Sequence, residues 1–193
     1  MRIVSQSQSV CVIIDGDQLF RAVMDLGLWV RYDFKALKEW LVNQRDLKCC
    51  KFYCGEVRED RPHRKRFYDV LHRCGIEVVK VFHKGSRSAE AVFDEVLRRK
   101  IVAKIAWDVC ECTTGNCERL VFVTNGPGMT PIIEGAKRRG VSVELVFFRA
   151  ACSEDVISRV DQFRELRIDG LSLGSKSVRS SAKGLQKVER RVV

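Results

Sequence analysis

Val10–Ile14 form an unbroken apolar run that stops at Asp15-Gly16-Asp17, the pattern of a buried strand opening into a loop. Apolar positions then recur at helical spacing from Asp33 to Asn43, with Phe34, Leu37, Trp40 and Leu41 on one side and Asp33 placed as N-cap. Cys49–Glu56 predicts a second strand. Pro62–Cys74 predicts a helix with Phe67, Val70, Leu71 and Cys74 on one face and Gly75 ending it, and Ile76–Phe82 a third strand. Ser88–Val109 carries Val92, Val96, Ile101, Ile105 and Val109 at helical intervals, and Leu120–Val123 reads as a fourth strand. Thr130–Arg139 fits a helix with Pro131 in its first turn and Gly140 after its last, followed by the strand Val141–Phe148. A capped helix at Ser153–Val160 and a short strand at Phe163–Ile168 complete the pattern. Strands and helices alternate throughout, which predicts an α/β fold of three layers, α/β/α, with a mainly parallel central sheet and right-handed crossovers.

The pattern changes at about Leu171. From there to Val193 the chain is rich in Ser, Gly, Lys and Arg, with six bases (Lys176, Arg179, Lys183, Lys187, Arg190, Arg191) against the single acid Glu189, a net +5 out of the whole chain's +10. Such a segment buries too little apolar surface to fold alone. The expected organisation is an extension over residues 1–9, one domain over 10–170 and a flexible basic tail over 171–193.

The overall excess of 35 Lys and Arg over 25 Asp and Glu points to a polyanionic partner, nucleic acid above acidic protein or lipid surfaces. Three further basic clusters stand within the folded part: Arg64, Lys65 and Arg66; Arg98, Arg99 and Lys100; and Lys137, Arg138 and Arg139. Three consecutive bases cannot share one helix face, so part of each cluster is solvated. No apolar run approaches the roughly 20 residues that cross a bilayer, so no membrane partner is expected. Nine cysteines, an odd count, and an opening without a secretory apolar core suggest an intracellular, reducing compartment: cytoplasm or an organelle matrix, mitochondrial included. Cys110, Cys112 and Cys117 are spaced C-x-C-x4-C, which is not a two-pair zinc pattern; a fourth ligand would come from a distant Cys or from a His such as His72. His63, His72 and His83 have no neighbouring Ser or Cys that suggests nucleophilic catalysis.

In open α/β sheets ligands gather at the carboxyl ends of the strands. Here those ends carry Asp15 and Asp17, Gly55 and Glu56, and Asn125–Gly128. "VIIDGDQLF" at Val12–Phe20 with its preceding apolar residues, "FYCGE" at Phe52–Glu56, "LVFVTNGPGMTPIIEGAKRRGVSVELVFF" at Leu120–Phe148 and "SEDVISRVDQFREL" at Ser153–Leu166 together resemble, in order, the NYN domains of the PIN-like nucleases. The resemblance implies RNA cleavage by a ring of acids holding Mg²⁺ or Mn²⁺, the metal activating water and neutralising phosphate. Carried across, Asp15 matches the acid of the first strand, whereas the family's two aspartates after the fourth strand fall on Gly126 and Gly128. On the long helix one register places the family acids at Val102 and Asp108, and a shifted register gives Asp108 the first role. Asp17 and Glu111 are the further oxygens in the neighbourhood.

These readings predict a catalytically degenerate nuclease fold that binds RNA or serves in a ribonucleoprotein complex. Asp15, Asp17 and Asp108 are then vestigial acids, and no cofactor is expected. The alternatives are an active Mg²⁺- or Mn²⁺-dependent ribonuclease using Asp15 and Asp108, and a protein-interaction module with an acidic partner. The Gly-Pro-Gly turn is either plain structure or a surface whose amides face phosphate.

Overall fold

Alternate residues of strand β1 (Ser9–Asp15) face opposite sides of a sheet, and all seven are buried, because helices cover both faces. The computed structural model describes residues 8–28, 32–57, 62–83, 90–126 and 128–167, without the side chains of 57, 62, 63, 83 and 90–94. After β1 come α1 (Gly16–Asp25), α2 (Phe34–Val42), β2 (Asp46–Val57), α3 (Pro62–Arg73), β3 (Glu77–His83) and α4 (Glu90–Thr114). Then follow β4 (Arg119–Val123), α5 (Thr130–Arg138), β5 (Ser142–Phe147), a 3-10 turn at Arg149–Ala151, α6 (Glu154–Ile157) and β6 (Gln162–Glu165). The predicted Ser88 helix start, the Ile168 strand end and the basic tail with Lys176, Arg179, Lys183, Lys187, Arg190 and Arg191 lie outside the described residues.

Six strands form one sheet in the order β3-β2-β1-β4-β5-β6, every neighbouring pair parallel. The expected three-layer α/β architecture is thus present. On one face Val10, Val12 and Ile14 pack with Phe52 and with Leu19, Leu37, Leu41 and Leu71 of α1, α2 and α3. On the other, Cys11, Ile13, Tyr53 and Phe122 pack with Leu97, Ile101 and Ile105 of α4 and with Ile133 and Val156 of α5 and α6. Asp33 caps α2 as predicted, its Oδ1 accepting the N–H groups of Lys35 and Ala36 at 3.1 and 3.0 Å.

One element departs from the sequence reading: no loop follows β1. Asp15 ends the strand and caps α1 in the same residue, its carboxylate accepting the Gln18 N–H. Asp-Gly is a turn signal, but Leu19, Ala22 and Val23 at i, i+3 and i+4 are buried against the sheet, and that burial decides in favour of helix.

Candidate functional site

From β1 the chain builds outward through β2 and β3, then returns to the other side of β1 for β4. The order reverses between β1 and β4, and the carboxyl ends of those two strands frame a crevice. Asp15 closes its floor and is 3% exposed. Burial, reinforced by the charge of Asp17, pushes its carboxyl up to about 7 against the opposing pull of the Gln18 N–H and the nearby Arg98 guanidinium. Gln18 Oε1 accepts from Asn125 Nδ2 at 3.0 Å, joining the start of α1 to the turn after β4. Asn125 Oδ1 is buried with no hydrogen-bond partner.

The other acids at this end are committed to internal hydrogen bonds. Asp17 Oδ2 accepts the Gly55 N–H at 3.0 Å. Glu56, 8% exposed at the end of β2, accepts the Tyr68 hydroxyl and faces Arg64 Nη1 at 3.9 Å. Arg64 also donates to the Gly55 carbonyl at 3.0 Å. Glu56, Asn125 and Arg98 therefore belong to the crevice beside Asp15 and Asp17. The position of Glu56 and Asn125 directly after strands was a sequence signal for them; the approach of Arg98 to Asp15 had none.

Gly126 and Gly128 adopt φ of +92° and +75°, a region that L side chains rarely enter. A Cβ on Gly126 would lie 2.7 Å from Val156 Cγ1 and 2.9 Å from Cγ2, so the turn is packed against α6 as a glycine turn. Gly126→Asp is expected to lower unfolding free energy by about 3 kcal/mol, from left-handed strain and overpacking together. Urea titration measures it, and a change below about 1 kcal/mol would mean that the turn accepts an acid.

Asp108 does not join Asp15. Its side chain is 1% exposed, with Tyr53 Oη at 2.6 Å, Lys104 Nζ at 2.7 Å and Lys51 Nζ at 3.6 Å. Burial opposes its charge, but the hydrogen bonds from Lys104 and Tyr53 and the charge of Lys51 outweigh it and hold the carboxyl below its ordinary range. It stands ten residues, about 15 Å of helix, beyond Arg98. Glu111, bonded to Trp107 Nε1 at 3.0 Å on the exposed side of α4, is farther still.

The basic clusters divide between the two ends of the sheet. Arg64, Lys65 and Arg66 open α3 at the crevice end, with Lys65 and Arg66 exposed. Arg98 and Arg99 pair with Glu95 at 2.6 and 2.9 Å, and Lys100 is exposed beside them. Lys137, Arg138 and Arg139 end α5 at the opposite pole. There Lys137 pairs with Asp161 at 2.8 Å, Arg138 with Glu134 at 4.0 Å, and Arg139 Nη2 donates to Cys110 Sγ at 3.2 Å. Cys110 is not in the group that Cys112 joins: Cys112 meets Cys49, with sulfurs 3.6 Å apart, and Cys11. His72 lies on α3, across the sheet from them.

The described residues do not fit the Mg²⁺ or Mn²⁺ centre that the resemblance implies. A hard cation takes about six oxygens with several carboxylates among them. Among the described residues no three carboxylates place an oxygen each within 4.8 Å of one another. Asp15 is held by α1, Asp17 by Gly55 and Glu56 by Tyr68. The Asn125 side-chain carbonyl there is buried and has no hydrogen-bond partner.

Among solved structures the chain is similar to a Vibrio parahaemolyticus protein described as of unknown function, at 17% identity and TM-score 0.69, over 88% of this chain and 98% of that one. A group II chitinase catalytic domain from Ostrinia furnacalis aligns at 14% identity over 83% of this chain and 47% of that one, at a TM-score of 0.20, too low for a shared fold. No curated protein sequence matches. The first neighbour shares the fold, and the family model for the NYN domain matches residues 9–168, every strand and helix described above. The chain belongs to the NYN domain family and has the family's PIN-like, nuclease-type fold.

Proposed function

We propose that this NYN domain binds single-stranded RNA across the β1–β4 crevice without cutting it, as a component of a ribonucleoprotein complex. One observation carries the reading. At Gly126, where the resemblance calls for an acid, the backbone lies at φ +92° and Val156 fills the space that a side chain would need. Phosphodiester cleavage of the family's type rests on converging negative oxygens, and this turn excludes one of them by packing.

Binding draws its support from charge and shape. Arg64 and Arg98 border the crevice, Lys65, Arg66, Arg99 and Lys100 extend the charge outward, and a groove between α4 and α5 starts beside Gly128. Its floor is apolar, formed by Val102, Ala106 and Ile132, and Arg98 and Arg99 stand along its edge. Unpaired bases stack on apolar and guanidinium surfaces while bases of the protein meet phosphates.

The full chain, incubated in Mn²⁺ with labelled single-stranded and hairpin RNA, is expected to retain intact RNA and to bind the single strand with an affinity that falls steeply with salt. Arg98→Glu with Arg99→Glu is expected to weaken binding about tenfold or more and to reduce the salt slope by about two phosphate contacts. RNA cleavage that Asp15→Asn abolishes would establish an active ribonuclease instead. Failure to bind either RNA would leave an acidic protein as the partner class.

A further inference from the structure

At the pole opposite the crevice, four of the nine cysteines converge from four separate segments. Cys11 is the third residue of β1, Cys49 lies near the start of β2, Cys112 in the last turn of α4, and Cys117 in the connection to β4. Cys49 and Cys112 sulfurs are 3.6 Å apart, and the sulfurs of Cys11, Cys49 and Cys112 all lie within 4.8 Å of one another. Cys117 is buried in the same hydrophobic cluster, its Sγ donating to the Arg119 carbonyl at 3.1 Å.

Two observations separate this cluster from cysteines that merely fill a core. A tetrahedral site with metal–sulfur distances near 2.3 Å has sulfur–sulfur edges of about 3.8 Å, close to the 3.6 Å between Cys49 and Cys112. A disulfide, at about 2.05 Å, joins two sulfurs and leaves the others unused. Cys49 and Cys112 are also half-buried rather than sealed, which leaves a path for an ion, while Cys11 and Cys117 are buried.

We infer that Cys11, Cys49, Cys112 and Cys117 form a structural zinc site that fastens the amino-terminal ends of β1 and β2 to the end of α4. Thiolate sulfur selects zinc over the hard cations of nuclease centres. Asp15 lies four residues along β1 from Cys11, about 13 Å, so the site is separate from the crevice and independent of RNA binding. Cys117 supplies the fourth sulfur on exchanging its hydrogen bond to the Arg119 carbonyl for the ion. The sequence concealed the site because only Cys112 and Cys117 are close along the chain, and the ligands come from both halves of the sheet.

Elemental analysis of the full chain, purified under reducing conditions without chelator, is expected to show one zinc per protein. After reconstitution with Co²⁺, the visible bands of tetrahedral cobalt and a near-ultraviolet thiolate-to-cobalt charge transfer are expected. Single Ser variants at Cys11, Cys49, Cys112 or Cys117 should lose metal stoichiometry or charge-transfer intensity, whereas Cys74→Ser should lose neither. A wild-type chain that takes up neither zinc nor Co²⁺ while its thiols remain reduced overturns the inference, as does a stable Cys49–Cys112 disulfide in the mass spectrum under those conditions. The wild-type cobalt spectrum is decisive even where a Ser variant fails to fold.

Discussion

Glu144→Ala is expected to lower the unfolding free energy by about 3–5 kcal/mol, the cost of leaving buried cations without their counter-charge. Glu144 lies in β5 with its side chain 2% exposed, and three guanidiniums surround it: Arg164 at 2.7 Å, Arg45 at 2.8 Å and Arg119 at 3.6 Å. Two of the three also close the end of α2. Arg45 donates to the carbonyls of Val42 and Leu41 at 2.8 and 2.6 Å, and Arg164 to those of Trp40 and Leu41 at 2.9 and 3.3 Å. The Arg164 guanidinium also stacks over the Trp40 ring at 4.0 Å. Carbonyls at a helix terminus carry partial negative charge, so the arginines serve α2 and Glu144 together. Without the carboxylate, three cations crowd each other in a place with little water. Urea unfolding of the variant at neutral pH measures the loss. A change below about 1 kcal/mol would show that the arginines reach solvent freely enough to dispense with Glu144.

The second large effect is one of pH. Asp15 has a folded-state pKa raised to about 7 from an ordinary value of 3.8, chiefly by burial. Between those values the folded chain holds a proton that the unfolded chain has released, so the stabilisation is full below about pH 4. It is lost progressively as pH rises through 7. About three pKa units at 1.36 kcal/mol each is about 4 kcal/mol. Asp15→Asn removes the charge yet keeps an N-cap for α1, since asparagine caps as well as aspartate. The variant should match the parent near pH 4 and exceed its stability by up to about 4 kcal/mol at pH 8, in denaturant titrations across that range. Equal stability at pH 8 would mean that Asp15 is solvated or paired in its ionised form.

Local periodicity made most of the fold legible. Alternation of apolar runs with helical spacing identified all six strands and five of the six helices, with ends displaced by a few residues, and the Asp33 cap was readable from its position. α1 escaped because Asp15-Gly16 is a stronger turn signal in isolation than Leu19, Ala22 and Val23 are a helical one. Ends at β2 and α4 extended beyond the apolar runs, β2 starting at Asp46 and α4 ending at Thr114, because sheet pairing and helix hydrogen bonds continue over polar residues.

By itself the sequence determined a parallel α/β sheet, the strand ends at which polar residues gather, and the glycines Gly126 and Gly128 in the turn after the fourth strand. Tertiary structure alone decided which side chains meet. It separated Asp108 from Asp15 by handing it to Tyr53, 55 residues away. It brought Cys49 to Cys112 across 63 residues and Arg164 to the end of α2 across more than 120. It also set Val156 against Gly126, which leaves no room for a side chain in that turn. Periods of two and 3.6 residues report which face of an element is buried. Which elements then lie side by side depends on the β3-β2-β1-β4-β5-β6 order of the strands, set by how the crossovers pack together in three dimensions.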